Sequence, residues 1–143
     1  MSHPKTPPRT AVLGPFHLSV LTSDCAEEDF AAVIASQERL TGLMGDDWPK
    51  GITWAQNHAD LARHAQEFDE DIAYAWVIRD PAGGYLGCAY IKPSAEDRGR
   101  GVAYLWLQEG EHDPARLADL TQRLTDWMDG LGYDPAHFPL RAV

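Results

Sequence analysis

The spacing of apolar positions changes period several times along this chain, and each change marks an element. Phe16-His17-Leu18-Ser19-Val20-Leu21 alternates apolar and polar, the period of a strand with one buried face. Phe30, Val33, Ile34, Leu40 and Leu43 then recur at helical intervals. Ser23 and Asp24 stand ahead of them as capping residues, Glu27 and Glu28 fall in the first turn, and Gly42 and Gly45 weaken the end. After a loop over residues 45–52, Thr53-Trp54-Ala55-Gln56 has the form of a capping box, in which hydroxyl and amide satisfy reciprocal backbone donors. It predicts a second helix to about Phe68, with Trp54, Leu61, Ala65 and Phe68 on one face. The acidic run Glu67, Asp69, Glu70, Asp71 sits at the end where the helix dipole disfavours it, so the helix stops there.

Beyond that point the period returns to that of a sheet. Residues 72–79 and 85–92 are rich in aromatic and β-branched side chains, and Asp80-Pro81-Ala82-Gly83-Gly84 between them is a turn, so the two form a hairpin. Val102 to Leu107 is a third strand. Asp113 caps a further helix with Pro114 at its first position; Leu117, Leu120, Leu124, Trp127 and Met128 form its apolar stripe, and Gly130 and Gly132 end it. One short strand fits within Phe138 to Val143. The order is strand, helix, helix, three strands, helix, strand. The fold class is therefore α/β (α+β): a mixed, mainly antiparallel central sheet with helices on both faces.

Length and composition narrow this reading. The 143 residues suit one domain, and the 44% of apolar residues suffices for a single core. The Pro-rich start makes residues 1–14 a flexible tail and 15–143 the domain. Lys plus Arg number 12 against 22 Asp plus Glu, a net charge of -10, which argues against duplex nucleic acid and anionic membrane as partners. Cys25 and Cys88 are too few for a disulfide framework and read as buried thiols of a cytoplasmic protein. No segment has the apolar length of a membrane span, and the N-terminus has no signal-peptide core.

Some stretches are more specific. Tyr74-Ala75-Trp76-Val77-Ile78-Arg79-Asp80-Pro81 followed by Leu86-Gly87-Cys88-Ala89-Tyr90-Ile91, with Leu61-Ala62-Arg63-His64 and Glu67-Phe68 ahead of them, resembles the GNAT superfamily of N-acetyltransferases over residues 16–143. The resemblance implies acetyl-CoA as donor, a small-molecule amine as acceptor, and a strand that splays from its neighbour so that its backbone pairs with the pantetheine arm. It also implies a following loop whose amides, with a helix N-terminus, hold the pyrophosphate. About fifteen residues follow the last helix, too few for the further helix and two strands of a full member, so the fold is expected to be truncated at its C-terminus.

Two placements of the pyrophosphate loop compete. Arg98-Gly99-Arg100-Gly101-Val102-Ala103 satisfies the family letters but requires a helix from Val102, where the pattern alternates. The other placement makes Val102 to Leu107 the cofactor strand and Gln108-Glu109-Gly110-Glu111-His112-Asp113 the loop, with one glycine and three carboxylates in the segment. Carboxylates there repel a diphosphate by about 1 kcal/mol each. Under this placement Leu105, Trp106, Leu107, Gln108, Gly110, Ala115 and Arg116 are the cofactor-binding residues, and a backbone amide near Leu107 polarises the thioester. Tyr133 and Tyr104 are the candidate acids. Trp48, in the loop between the first two helices, is the acceptor contact. Asp60, His64 and Glu67 share a helix side but read as a solvated ion pair, so no metal is expected. The rival to an acetyltransferase is a catalytically inactive binding or dimerisation module of the same fold, and an exposed C-terminal edge strand is consistent with a homodimer.

Overall fold

A computed structural model describes residues 4–143. Six strands form one sheet in sequence order: β1 (Thr10–Leu13), β2 (Phe16–Val20), β3 (Tyr74–Arg79), β4 (Tyr85–Pro93), β5 (Gly101–Leu107) and β6 (Leu140–Ala142). All neighbours are antiparallel except β5 and β6, which run parallel because α4 (Pro114–Gly130) connects them. Between β2 and β3 lie a 3-10 turn at Ser23–Cys25, α1 (Ala26–Ala35), α2 (Gln37–Leu40) and α3 (Trp54–Asp69). The expected α/β class, the mainly antiparallel sheet and the three central strands are all present.

Period-2 alternation sorts the sheet side chains onto two faces. Trp76, Ile78, Leu105 and Leu107 meet Leu120, Leu124 and Met128 of α4 on one face. Ala75, Val77, Cys88, Tyr90, Tyr104 and Trp106 meet Val33, Leu40 and Leu61 of the other helices on the opposite face. The central hairpin is tight. At Gly87, opposite Leu107, any Cβ would collide with the Trp106 carbonyl, so only glycine lets β4 and β5 approach.

Both later caps form as the residues dictate. The Thr53–Gln56 capping box is reciprocal, with Gln56 N to Thr53 Oγ1 at 3.2 Å and Thr53 N to Gln56 Oε1 at 2.9 Å. Asp113 caps α4 by accepting from Arg116 N at 3.0 Å.

The structure corrects four expectations. The segment taken as a tail over residues 1–14 includes β1, whose residues pair with β2, and the Trp76 indole donates to the Pro8 carbonyl at 3.1 Å; residues 1–3 of that segment lie outside the described residues. Hydrogen bonds to a neighbouring strand outweigh the Pro-rich composition ahead of it. Thr22, one residue before Ser23 and Asp24, supplies the side-chain cap at the first helical turn. The first helix breaks at Ser36 into α1 and α2. Trp54 is 44% exposed and stacks edge-on with Phe30 at 5.6 Å, because an N-terminal helix position overhangs the core.

Candidate functional site

The C-terminal end of β5 is where sequence reasoning placed a ligand, and three elements meet there. Ser36, at the α1–α2 break, is 1% exposed and accepts from the Glu109 amide at 2.8 Å. One turn later the Arg39 guanidinium donates to the Leu107 carbonyl and faces Glu109 at 3.5 Å. Its Nη1 is buried without a hydrogen-bond partner, as is Nδ1 of His112. Gln108 closes the loop onto β4: its amide N–H donates to Leu86 O at 2.7 Å and its Nε2 to Tyr85 O at 2.6 Å. Gly110 adopts φ +89° with open space where a side chain would stand. Ala115 is exposed in the first turn of α4, and Arg116 pairs with the Glu111 carboxylate.

The loop is thus a ring of cations and anions. The Arg39 and Arg116 guanidiniums are each held by an acidic neighbour, Glu109 and Glu111.

The expected splay of β5 is absent. The Ala103 amide donates to Pro139 O at 3.0 Å, Val143 N to Leu105 O at 3.0 Å, and Leu107 N to Val143 O at 3.1 Å. The pairing therefore runs to the last residue of β5, and the Leu107 amide expected to polarise a thioester is already spent on a carbonyl. Leu105 and Trp106 are core residues at 0% exposure, with the Trp106 indole donating to Tyr90 OH at 3.0 Å. The alternative loop is overturned, since Gly101–Leu107 is a strand and not a helix. Arg98 there donates to the Ile72 carbonyl at 2.6 Å and the Asp71 carbonyl at 2.8 Å, which fixes the turn before β3.

A second region lies on the same sheet face as α3. Trp48 is half-buried in the loop before α3, with its amide donating to Asp46 Oδ1 at 3.1 Å. It covers a cleft of about 250 Å³ together with Met44, Asp46, Asp60, Arg63, His64, Tyr90 and Lys92. Lys92 enters this cleft because it shares the inward parity of Cys88 and Tyr90 along β4. Its ammonium stands 5.7 Å from the Tyr90 ring centre and 5.6 Å from that of Tyr104. Its one hydrogen-bonding contact is with Met44 Sδ at 3.6 Å, and among the described residues no carboxylate lies within ion-pair distance of it. Burial, and next the nearby Arg63 charge, hold the lysine below its ordinary pKa. His64 is pushed down to about 3, by burial first and then by Arg63 and Lys92, so its imidazole is neutral at pH 7. From Tyr104 at the cleft to Leu107 is three strand residues, about 10 Å.

The two candidate acids are not brought together. Tyr104 lies on the α3 face and Tyr133 on the α4 face, where the Tyr133 hydroxyl donates to the Lys5 carbonyl at 2.8 Å. Burial raises the Tyr133 pKa further from the range of a useful acid.

Sequence reasoning passed over a buried polar cluster beneath α1. The Asp29 carboxylate, 2% exposed, accepts from Tyr85 OH at 2.6 Å, Asn57 Nδ2 at 2.8 Å and Cys88 Sγ at 3.6 Å. Burial raises its pKa, and the three donors offset part of that rise. Asp29 and Asn57 sit on the inward stripes of their helices, the one signal that could have found them. Arg39 had no such signal, because its role depends on the break at Ser36.

No protein-family model matches the chain, and no curated protein matches it. Solved structures do match, and they define the fold as that of the GNAT acetyltransferases. RimL, a ribosomal L7/L12 alpha-N-protein acetyltransferase in complex with coenzyme A, superposes with TM-score 0.65 at 14% identity, over 82% of this chain and 66% of its own. The acetyltransferase from Salmonella typhimurium that modifies the N-terminal serine of L7/L12 gives 0.66 at 10% identity, over 87% and 70%. The microcin C7 self-immunity acetyltransferase MccE, in complex with acetyl-CoA and AMP, gives 0.68 at 12% identity, over 91% and 72%. The chain spans about two thirds of the length of these structures.

Proposed function

We propose that the chain is an acetyl-CoA-dependent N-acetyltransferase acting on a small primary amine. The observation that carries the reading is an unsatisfied donor at the end of β5: the buried Arg39 Nη1 has no partner. Beside it Gly110 leaves room for a close approach, and α4, capped by Asp113, begins at the end of the same loop. These fit an anionic group, and the solved structures of this fold include complexes with coenzyme A and acetyl-CoA. Arg39, Gln108, Gly110, Ala115 and Arg116 would hold the cofactor, with Trp48 on the acceptor side. Bound there, acetyl-CoA supplies an activated thioester for attack by the amine. The chain's own part is to present donors to the anion and to keep the acceptor cleft apolar at Trp48.

The fit has a cost, because Glu109 and Glu111 already neutralise the two guanidiniums. A diphosphate must displace both carboxylates, each at roughly 1 kcal/mol. Weak binding follows for the wild type. Removing both charges should tighten it by about tenfold to thirtyfold, at 1.4 kcal/mol per factor of ten. A second reading, an inactive module of the same fold, is favoured by the closed β5–β6 pair, where Leu107 N is bonded to Val143 O.

Titration calorimetry and thermal melting with acetyl-CoA separate the two. At 100 times the dissociation constant, ligand raises stability by about 2.7 kcal/mol. The transferase reading expects a melting shift, larger in Glu109→Gln/Glu111→Gln than in the wild type. Absence of any shift in both proteins at millimolar acetyl-CoA would leave the module reading standing.

A further inference from the structure

We infer that the Trp48 cleft binds a free α-amino acid with an apolar side chain, its carboxylate on Lys92 and its ammonium on Asp46 and Asp60. As an acceptor, this ligand rests on the transferase reading; as a ligand, it does not.

Lys92 is half-buried, and an ammonium drawn out of water is ordinarily paired, because an unpaired charge there is destabilising. Arg63, exposed on the same cleft wall, has carboxylate partners, 3.3 Å from Asp60 and 3.5 Å from Glu67. Lys92 instead is flanked by two aromatic faces and a thioether, which stabilise a cation and do not neutralise it. It opens onto the about 250 Å³ cleft, so the missing counter-charge is one that a ligand can bring. A carboxylate is the group that completes it.

The remaining lining fixes the rest of the ligand. Asp46 and Asp60 each commit one carboxylate oxygen, to the Trp48 amide and to Arg63 respectively, and their other oxygens carry no internal hydrogen bond. Those free acceptors suit an ammonium. Counted together, Asp46, Asp60, Arg63 and Lys92 sum to zero, and His64 adds no charge at pH 7. A zwitterion enters such a site without leaving net charge behind, whereas a dianion or a polyamine does not. Trp48, Met44 and Tyr90 supply the apolar surface for a side chain.

The test uses the full chain without any cofactor, so its outcome is independent of whether acetyl-CoA binds. L-Phenylalanine, L-phenylalaninamide and 3-phenylpropanoate are titrated in turn, followed by amide chemical shifts around Trp48 and Lys92. Phenylalanine is expected to bind at least tenfold more tightly than the amide, which lacks the carboxylate, or the propanoate, which lacks the ammonium. In Lys92→Met the preference over the amide should vanish while the preference over the propanoate remains. Binding of the amide equal to that of the amino acid would overturn the inference, as would an unchanged preference in Lys92→Met. So would saturation by inorganic phosphate at comparable concentration, since that marks a general anion site, and so would no shift with any of the probes at ten-millimolar concentration.

Discussion

The sheet face beneath α1 and α3 carries buried polar groups at both of its ends, and the two ends are built on opposite terms. At the Asp29 end every buried polar atom has a partner: the carboxylate takes three donors from Tyr85, Asn57 and Cys88. At the Lys92 end, four residues further along β4 from Cys88, the ammonium and the imidazole of His64 face a cleft and lack comparable partners. A fully satisfied buried network locks helix onto sheet, whereas a half-buried cation without a counter-charge costs stability in the free protein. The difference separates polar groups that the fold uses for itself from those it leaves for something else.

Breaking the closed end should have the largest effect. Asp29→Ala removes the acceptor shared by Tyr85 OH, Asn57 Nδ2 and Cys88 Sγ, leaving Tyr85 and Cys88 only each other at 3.2 Å. At about 1 kcal/mol for each lost hydrogen bond, the loss is roughly 3 kcal/mol, or on the order of 10 °C in Tm. Asp29→Asn separates charge from shape. Because burial raises the native carboxyl pKa, the native state holds the proton more tightly than the unfolded chain, and stability falls as pH rises above the ordinary carboxylate range. The asparagine variant should lose that decline, read as Tm against pH above about 4.

At the open end the sign is reversed. His64 binds its proton only near pH 3, while the unfolded chain binds one near 6.5. In between, the unfolded state holds more protons, so stability drops as pH falls from 6.5 toward 3, with a slope near 1.4 kcal/mol per unit. Denaturant melts of the wild type and His64→Leu, compared at successive pH values, should diverge in that window by about this slope. Parallel curves would show that the imidazole is open to water.

The two ends also differ in how much the residues announced. Aromatic and β-branched content placed residues 72–79 and 85–92 on the sheet, the Thr53 and Asp113 caps set two helix starts, and alternation placed Val102 to Leu107, because local chemistry decides all three. The same alternation carries Lys92 inward with Cys88 and Tyr90, so the open end was legible in register although its charge disguised it. The Asp29 network was not legible, since it needs α1, α3 and β4 packed against one another. Nor was the closed β5–β6 pair: that Leu107 N would meet Val143 O depends on how α4 returns the chain to the sheet. Strand β1 was missed for a related reason, as Thr10 to Leu13 is ordered by β2 and not by its own composition.

The smallest effect is the most discriminating. If Lys92 is a cost the free protein bears, removing its charge should not destabilise the fold. Lys92→Met keeps the apolar stem and discards the ammonium, whose pKa burial has already lowered, together with its contacts to the Tyr90 and Tyr104 rings and Met44 Sδ. Solvent screens a half-buried charge, so the expected gain is between zero and about 1 kcal/mol, read as an unchanged or slightly raised Tm at pH 7. The sign carries the argument, because a structural ion pair loses stability when one partner is removed. A drop of 2 kcal/mol or more would place Lys92 with Asp29, as a group the fold has already spent.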